Sequence, residues 1–363
     1  MRLVVCALWA AIGLAASPAF ADEARDAAAF WKGVQAHCDV TAKKPATDLG
    51  KRIAQSAIDE FYGFGGHEID ANGRIFHFGL TEAEHHEDDS GATQSDFGHL
   101  GWWRVMKYWR ALYGDKFPVY LEVRGYRGAS TATEDTQNGD ILRPGDDELL
   151  KALDGITNDD TREVLREAAI RAAIIDTSWS AAFISYVVKA AGVDAKAFQF
   201  SNAHRAYVYD AFATSTAEVK NESDEHIYRA CPLTATKPRV GDIICAHRES
   251  KLADLSAAEV RERIRNELDG PPQARTVRAG HCEVVASVDA KARKMYTIGG
   301  NVNQAVTVRK LNLRRDMKFS SVQSEGCGGA GAWTLPAPKG AAPREKETCS
   351  LNDKKWFVLM QLR

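Results

Sequence analysis

The sequence predicts an α+β fold, and three observations carry that expectation. Segments with helical periodicity occupy the chain as far as Ala191, and strand-like runs rich in β-branched and aromatic residues follow from Gly241 onward. Nothing in between alternates strand and helix in the manner of a parallel sheet, so an antiparallel strand set packed against N-terminal helices is expected.

The elements follow in order. Met1–Ala21 has one basic residue, Arg2, then an apolar run from Leu3 to Ala16, a Ser17-Pro18 break and the small-x-small triplet Ala19-Phe20-Ala21. That is the grammar of a secretory signal peptide, and cleavage after Ala21 would leave 342 of the 363 residues. Export to the periplasm or beyond is therefore expected, with no transmembrane segment left after cleavage. Residues 22–47 read as a short helix (Glu23 to Ala36) and a Lys/Pro linker. Thr47 or Asp48 can cap the next helix, on which Leu49, Ile53, Ala57, Ile58 and Phe61 share a face and which Phe64-Gly65-Gly66 stops. Gly101–Tyr113 reads as an aromatic-rich helix in which Trp102, Trp103 and Trp109 are expected core residues. Residues 118–126 (PVYLEVRGY) read as a strand. A helix from Asp159 has Val164, Leu165, Ala168, Ala169 and Ala172 on one face, and another runs from about Trp179 to Ala191, ended by Gly192. Strands are expected at 241–247, 281–289, 294–300, 305–313 and 354–363, with a charged helical insertion near 250–272 capped by Ser256. Residues 48–363 are thus read as one domain.

Composition removes several function classes. Lys and Arg number 47 against 49 Asp and Glu, so no basic excess supports a nucleic-acid partner. Beyond the leader no apolar run is long enough to span a bilayer. Gly326, Gly328 and Gly331 satisfy G-x-G-x-x-G but follow no strand and open no helix, which argues against a dinucleotide cofactor. His281-Cys282-Glu283 resembles half of a zinc deaminase signature whose P-C-x-x-C half is missing. His85-His86-Glu87-Asp88-Asp89 reads as a solvated charge run, since adjacent side chains rarely converge on one ion. Neither a metal nor an organic cofactor is expected. Of the cysteines outside the leader, Cys38, Cys231, Cys245, Cys282, Cys327 and Cys349, sequence cannot fix the pairing. Cys327–Cys349 is the preferred bridge, and Cys245 and Cys282 read as small packing residues inside strands.

Three segments combine into a candidate site: Ser178-Trp179-Ser180-Ala181-Ala182-Phe183-Ile184-Ser185 at a helix start, Gly280-His281-Cys282-Glu283 on a strand, and Gly299-Gly300-Asn301 closing the next. A side chain in the first turn of a helix sits among backbone N–H groups with no intrahelical acceptor, at the positive end of the dipole. That placement suits a nucleophile, because the same amides can hold an oxyanion. A strand histidine can take the nucleophile's proton while a third polar group fixes its tautomer. Alternation puts His281 and Glu283 on one strand face and Cys282 and Val284 on the other.

These segments resemble the papain-like cell-wall hydrolases of the NlpC and CHAP type, whose pattern is a W-C-A-A-F helix start, P-G-D with a strand, G-H-x on the next strand and G-G-N after it. Arg239–Cys245 (RVGDIIC) fits the P-G-D element with Val240 in place of proline. Within that group the chain most resembles an uncharacterised bacterial domain family carrying W-S-A-A-F-I-S, then A-H-x-x-Y, here Ala203-His204-Arg205-Ala206-Tyr207, and G-H-C-[DE]. The resemblance implies a papain-like domain acting on an amide bond of peptidoglycan. Ser180 would be nucleophile, His281 general base and Asn301 its orienter, with Trp179, His204, Tyr207 and Glu283 lining the substrate side. It departs from the hydrolases at the nucleophile, where serine replaces cysteine. A hydroxyl must lose its proton during attack, whereas a thiol beside a histidine ionises beforehand. A catalytically silent peptidoglycan-binding or scaffolding module and an esterase-like serine hydrolase are the alternatives.

Overall fold

In the computed structural model the described residues are 18–70, 75–77, 79–82, 101–123, 125–126, 141–142, 148–248, 252, 254–323, 335–336 and 354–363. Residues 1–17, the His85–Asp89 run, the Gly326–Gly331 motif and the Cys327–Cys349 pair lie outside them.

The helices are α1 (Pro18–Ala42), α2 (Asp48–Gly63), α3 (Gly101–Tyr113), α4 (Glu148–Asp154), α5 (Asp159–Asp176), α6 (Ser180–Ala190), α7 (His204–Val219) and α8 (Ala257–Glu267). Two small antiparallel ladders pair β1 (Glu68–Ile69) with β2 (Ile75–His77) and β3 (Gly125–Tyr126) with β4 (Ile141–Leu142). The main sheet holds β5 (Tyr228–Pro232), β6 (Ile243–His247), β7 (Ala279–Asp289), β8 (Lys294–Val302), β9 (Ala305–Asn312) and β10 (Lys355–Leu362). Its order is β5-β10-β6-β7-β8-β9, antiparallel throughout. The expected α+β class with helices against an antiparallel sheet is what forms.

Both faces of this sheet are apolar, because successive residues of a strand point to opposite sides. Cys282, Val284, Ile298, Val308 and Phe357 join the large core built with α2, α3, α6 and α7. Val285, Met295, Leu311, Trp356 and Leu359 form a second core with Val34 and Cys38 of α1. Trp102 and Trp109 are buried in the first, as expected of core residues.

Local signals explain several elements. Thr47 caps α2 by accepting from the Gly50 amide, and Ile53, Ala57, Ile58 and Phe61 are buried on the anticipated face. Ser256 and Glu259 form a reciprocal capping box at α8, whose Val260 and Ile264 are buried. Gly241 adopts φ 93, and its Cα lies so close to Gly50 that a Cβ would stand 2.3 Å from the Gly50 Cα. The backbones of α2 and the turn before β6 meet there as only glycine allows.

Five expectations need correction. The first helix is longer than expected and crosses the position after Ala21. Residues 118–120 are not strand: Gly114–Tyr120 is a 3-10 helix, with Phe117 buried and the Leu121 amide donating to the Pro118 carbonyl, and among the described residues of that segment only Gly125–Tyr126 pairs. The apolar face of α5 does not reach the core: Val164 and Leu165 are 68% and 42% exposed, and Ala173 and Ile174 are the buried pair. Helix α7 and strand β5 were not anticipated. Polar residues of α7 such as His204, Thr214 and Ser215 are buried among its apolar ones, so no apolar stripe marks it.

The fifth correction concerns sulfur. Cys245 and Cys282 are directly opposite on β6 and β7, with Cα atoms 4.1 Å apart, and are bonded to each other. Their burial is real, but register, which the sequence does not display, turns two packing residues into a bridge. Cys38 and Cys231 form a second disulfide that pins α1 to β5.

Candidate active site

Two helix starts build the centre of the site. Ser180 is the first residue of α6, and His204 the first of α7. The Ser185 hydroxyl accepts from the Ser201 amide at 3.0 Å and donates to the Ser201 carbonyl at 2.8 Å. The Ser201 hydroxyl in turn accepts from the Ala203 amide, so α6 fixes the turn that launches α7. In consequence Ser180 Oγ lies 2.7 Å from His204 Nε2, both residues being buried. The other ring nitrogen of His204, Nδ1, is hydrogen-bonded to the Tyr207 hydroxyl one turn along α7. Burial, followed by electrostatic coupling to His281 and the positive charges of Arg248 and Lys354, lowers the His204 pKa well below the usual value, so its ring is neutral at pH 7.

His281 stands behind this pair. Its ring meets that of His204 edge-on, with centroids 5.7 Å apart. Nε2 bonds Glu283 Oε1 at 3.1 Å, and Nδ1 is buried without a hydrogen-bond partner among the described residues. Desolvation brings its pKa down to about 4. Glu283 also accepts from Arg309 Nε at 2.7 Å and Thr297 Oγ1 at 2.6 Å, with Lys354 Nζ at 3.9 Å. Although burial opposes its charge, Arg309, His281 and Lys354 hold its carboxyl well below the usual carboxylate range.

The expected residues therefore divide. Ser180, His281, Glu283 and His204 are brought together. The hydrogen bond expected between Ser180 and His281 is made by His204, and the orienting contact expected of Asn301 is made by Glu283. Asn301 sits at the end of β8 with φ 56 and makes no hydrogen bond to His281 among the described residues. Trp179 and Tyr207 are buried and support the site from beneath. Trp179 stacks on Phe64 and donates its indole N–H to Glu82, whose buried carboxyl is pushed up to about 7 by desolvation. Asp242, of the element read as P-G-D, is structural: it accepts from the Arg239 and Leu362 amides, tying the end of β10 to the turn before β6.

The paired glycines of the third motif have a packing explanation. A Cβ at Gly299 would stand 2.7 Å from Glu283 Cγ and 2.8 Å from His281 Nε2, and one at Gly300 would stand 2.6 Å from Phe183 and Trp179. One glycine admits the imidazole–carboxylate pair and the other admits the start of α6. Sequence reasoning did not find Arg309, Thr297, Arg248, Lys354 or Glu82. Their only signal is polarity inside strand-like or apolar surroundings, and what they contact depends on register.

The arrangement can do acid–base chemistry. It has a hydroxyl on a neutral imidazole, first-turn amides of α6 beside it, and a second imidazole fixed by an ionised carboxylate. Among the described residues no cluster of three or more His, Cys, Asp or Glu is placed to hold a metal ion, and no helix is long and apolar enough to cross a membrane. Compared with known proteins, residues 96–362 match the model of a family described as an uncharacterised protein conserved in bacteria, DUF2272. No curated protein and no solved structure matches the chain.

Proposed function

The chain belongs to the uncharacterised bacterial family DUF2272, and from that premise we propose that it is an exported cell-envelope hydrolase of papain-like architecture, resembling the NlpC and CHAP enzymes and cleaving an amide bond in peptidoglycan. The observation that carries this reading is the 2.7 Å contact between Ser180 Oγ and His204 Nε2 at the start of α6. With its proton on Nδ1 and donated to Tyr207, His204 offers the Nε2 lone pair to the serine hydroxyl. Ser180 attacks the amide carbonyl while Nε2 takes its proton, and the first-turn amides of α6 receive the oxyanion. His204 returns the proton to the leaving amine, and water then cleaves the acyl-serine by the same route. His281 and Glu283 are positioning residues that hold the ring of His204 from behind. Two disulfides support folding in an oxidising compartment, as the apolar leader implies.

One observation favours the alternative of a silent binding module: the imidazole touching Ser180 is backed by a phenol, whereas the ionised carboxylate backs the other histidine. Incubating purified protein with peptidoglycan separates the readings. Soluble products from wild type, lost in Ser180→Ala, support the hydrolase. Co-sedimentation of both proteins without products supports the binder, and labelling of Ser180 by a fluorophosphonate without turnover supports an esterase.

A further inference from the structure

Around Glu283, behind the Ser180–His204 pair, lies a concentration of positive charge that the hydrolytic steps do not use. Glu283 is the carboxylate around which it gathers, with Arg309 at 2.7 Å and Lys354 at 3.9 Å. Arg248, the exposed residue that follows β6, is near enough to feel both Glu283 and Arg309. Its side-chain stem lies over Gly280, where a Cβ would stand 2.3 Å from Arg248 Cγ, and so borders His281. Among the described residues three cations, Arg309, Lys354 and Arg248, gather at this one carboxylate. Among the described residues Arg248 has no ion pair, and Lys354 has only the long one to Glu283.

The cost of this gathering is visible on its members. Desolvation and the neighbouring cations bring Lys354 down to about 8, despite the attraction of Glu283, and Arg248 is lowered as well. Both cations act on His204, which holds Ser180, so their field reaches the proposed reaction centre. Like charges kept together at a cleft are relieved by an incoming anion. Lys354 remains partly exposed and Arg248 is exposed, so an anion can reach them from solvent.

We propose that Arg248 and Lys354 form a subsite for a carboxylate beside the Ser180–His204 pair, so that the chain takes an acylated amino acid or peptide with a free carboxylate close to the bond presented to Ser180. Arg309 stays with Glu283 and supplies background potential. The inference deepens the hydrolase reading and rests on it for the orientation of the substrate, but the subsite itself is a binding property.

The test therefore uses the full chain carrying Ser180→Ala, which cannot turn over, and three probes at low salt and pH 7: N-acetylglycine, N-acetylglycinamide and inorganic phosphate. Calorimetric titration should show N-acetylglycine binding at least tenfold more tightly than its amide. Arg248→Gln and Lys354→Gln should each weaken it several-fold, with circular dichroism and melting temperature unchanged. Equal binding of acid and amide, or no effect of either substitution in a folded variant, overturns the subsite. Phosphate binding as tightly as N-acetylglycine overturns the assignment to a carboxylate. Failure of wild type to cleave peptidoglycan, with the acid-over-amide preference intact, overturns the hydrolase and leaves the subsite standing.

Discussion

The hydroxyl of Ser180 lies 2.7 Å from Nε2 of His204, two residues that each begin a helix and are 24 positions apart in the chain. The strand histidine, His281, directs its own Nε2 to Glu283 instead. This division of labour decides which imidazole takes the proton. Replacing His204 by alanine should cut fluorophosphonate labelling of Ser180 by about a hundredfold to ten-thousandfold, the range for loss of a general base. His281→Ala acts through the position of His204 and should cost less, with the same limiting pH profile as wild type. The reverse ranking of the two variants would move the base to His281.

How much of this was legible beforehand depends on what each feature needs. Helices α2, α6 and α8 and the strands from β6 to β10 declare themselves by period, cap or composition, which are local properties. Helix α7 does not, because His204, Thr214 and Ser215 are buried alongside Val208, Ala211 and Phe212, which blurs the contrast between its sides. Helix α5 misleads in the opposite sense, since it has an apolar stripe that finds no core among the described residues. Ser180, His281 and Glu283 could be nominated because their segments resemble the NlpC and CHAP pattern, with helix-start and strand-alternation arguments beside that resemblance. The Ser180–His204 contact could not, because it is set by the Ser185–Ser201 hydrogen bonds that join α6 to the turn before α7. Cys245–Cys282 and the Arg309–Glu283 pair needed β-sheet register, which short sequence windows do not encode.

Glu82 should make stability depend on pH in a way that a single substitution reveals. Its carboxyl is raised from 4.5 to about 7 by burial, so between those values the folded chain keeps a proton that the unfolded chain has lost. Stability from this group is present at low pH and falls as pH rises through that window, by about 3 kcal/mol at the limit. Glu82→Gln still offers Trp179 an acceptor but cannot ionise, so its stability relative to wild type should rise from pH 5 to pH 8. His281, lowered to about 4, gives wild type and variant alike the opposite slope between about pH 4 and 6.5, and the difference between their melting curves cancels it. Parallel curves for the two proteins would refute the assignment.

The disulfides should differ in worth. Cys38–Cys231 closes 193 residues of chain and Cys245–Cys282 closes 37. Loop-closure entropy gives about 5 kcal/mol for the first and about 4 kcal/mol for the second. Peptide mapping without reduction should recover both linked pairs. In urea titrations the Cys38→Ala/Cys231→Ala protein should unfold earlier than the Cys245→Ala/Cys282→Ala protein. A mapped Cys245 linked to any residue but Cys282 would contradict the β6–β7 register.

Adjacent alanines at the end of β8 should separate the two halves of the site. Overpacking a closed core costs about 1–3 kcal/mol, so Gly299→Ala and Gly300→Ala should each lower the melting temperature. Their chemical consequences should differ, because a Cβ at position 299 intrudes on the His281–Glu283 pair and one at 300 intrudes on Phe183 and Trp179. Pushing α6 away moves Ser180 relative to His204, so Gly300→Ala should lose serine labelling steeply. Gly299→Ala should leave the Ser180–His204 contact in place and lose far less, while shifting the histidine proton resonance of His281. If instead Gly299→Ala abolishes labelling and Gly300→Ala spares it, the reactive hydroxyl depends on His281 directly, and the contact with His204 is a resting arrangement that the reaction must break.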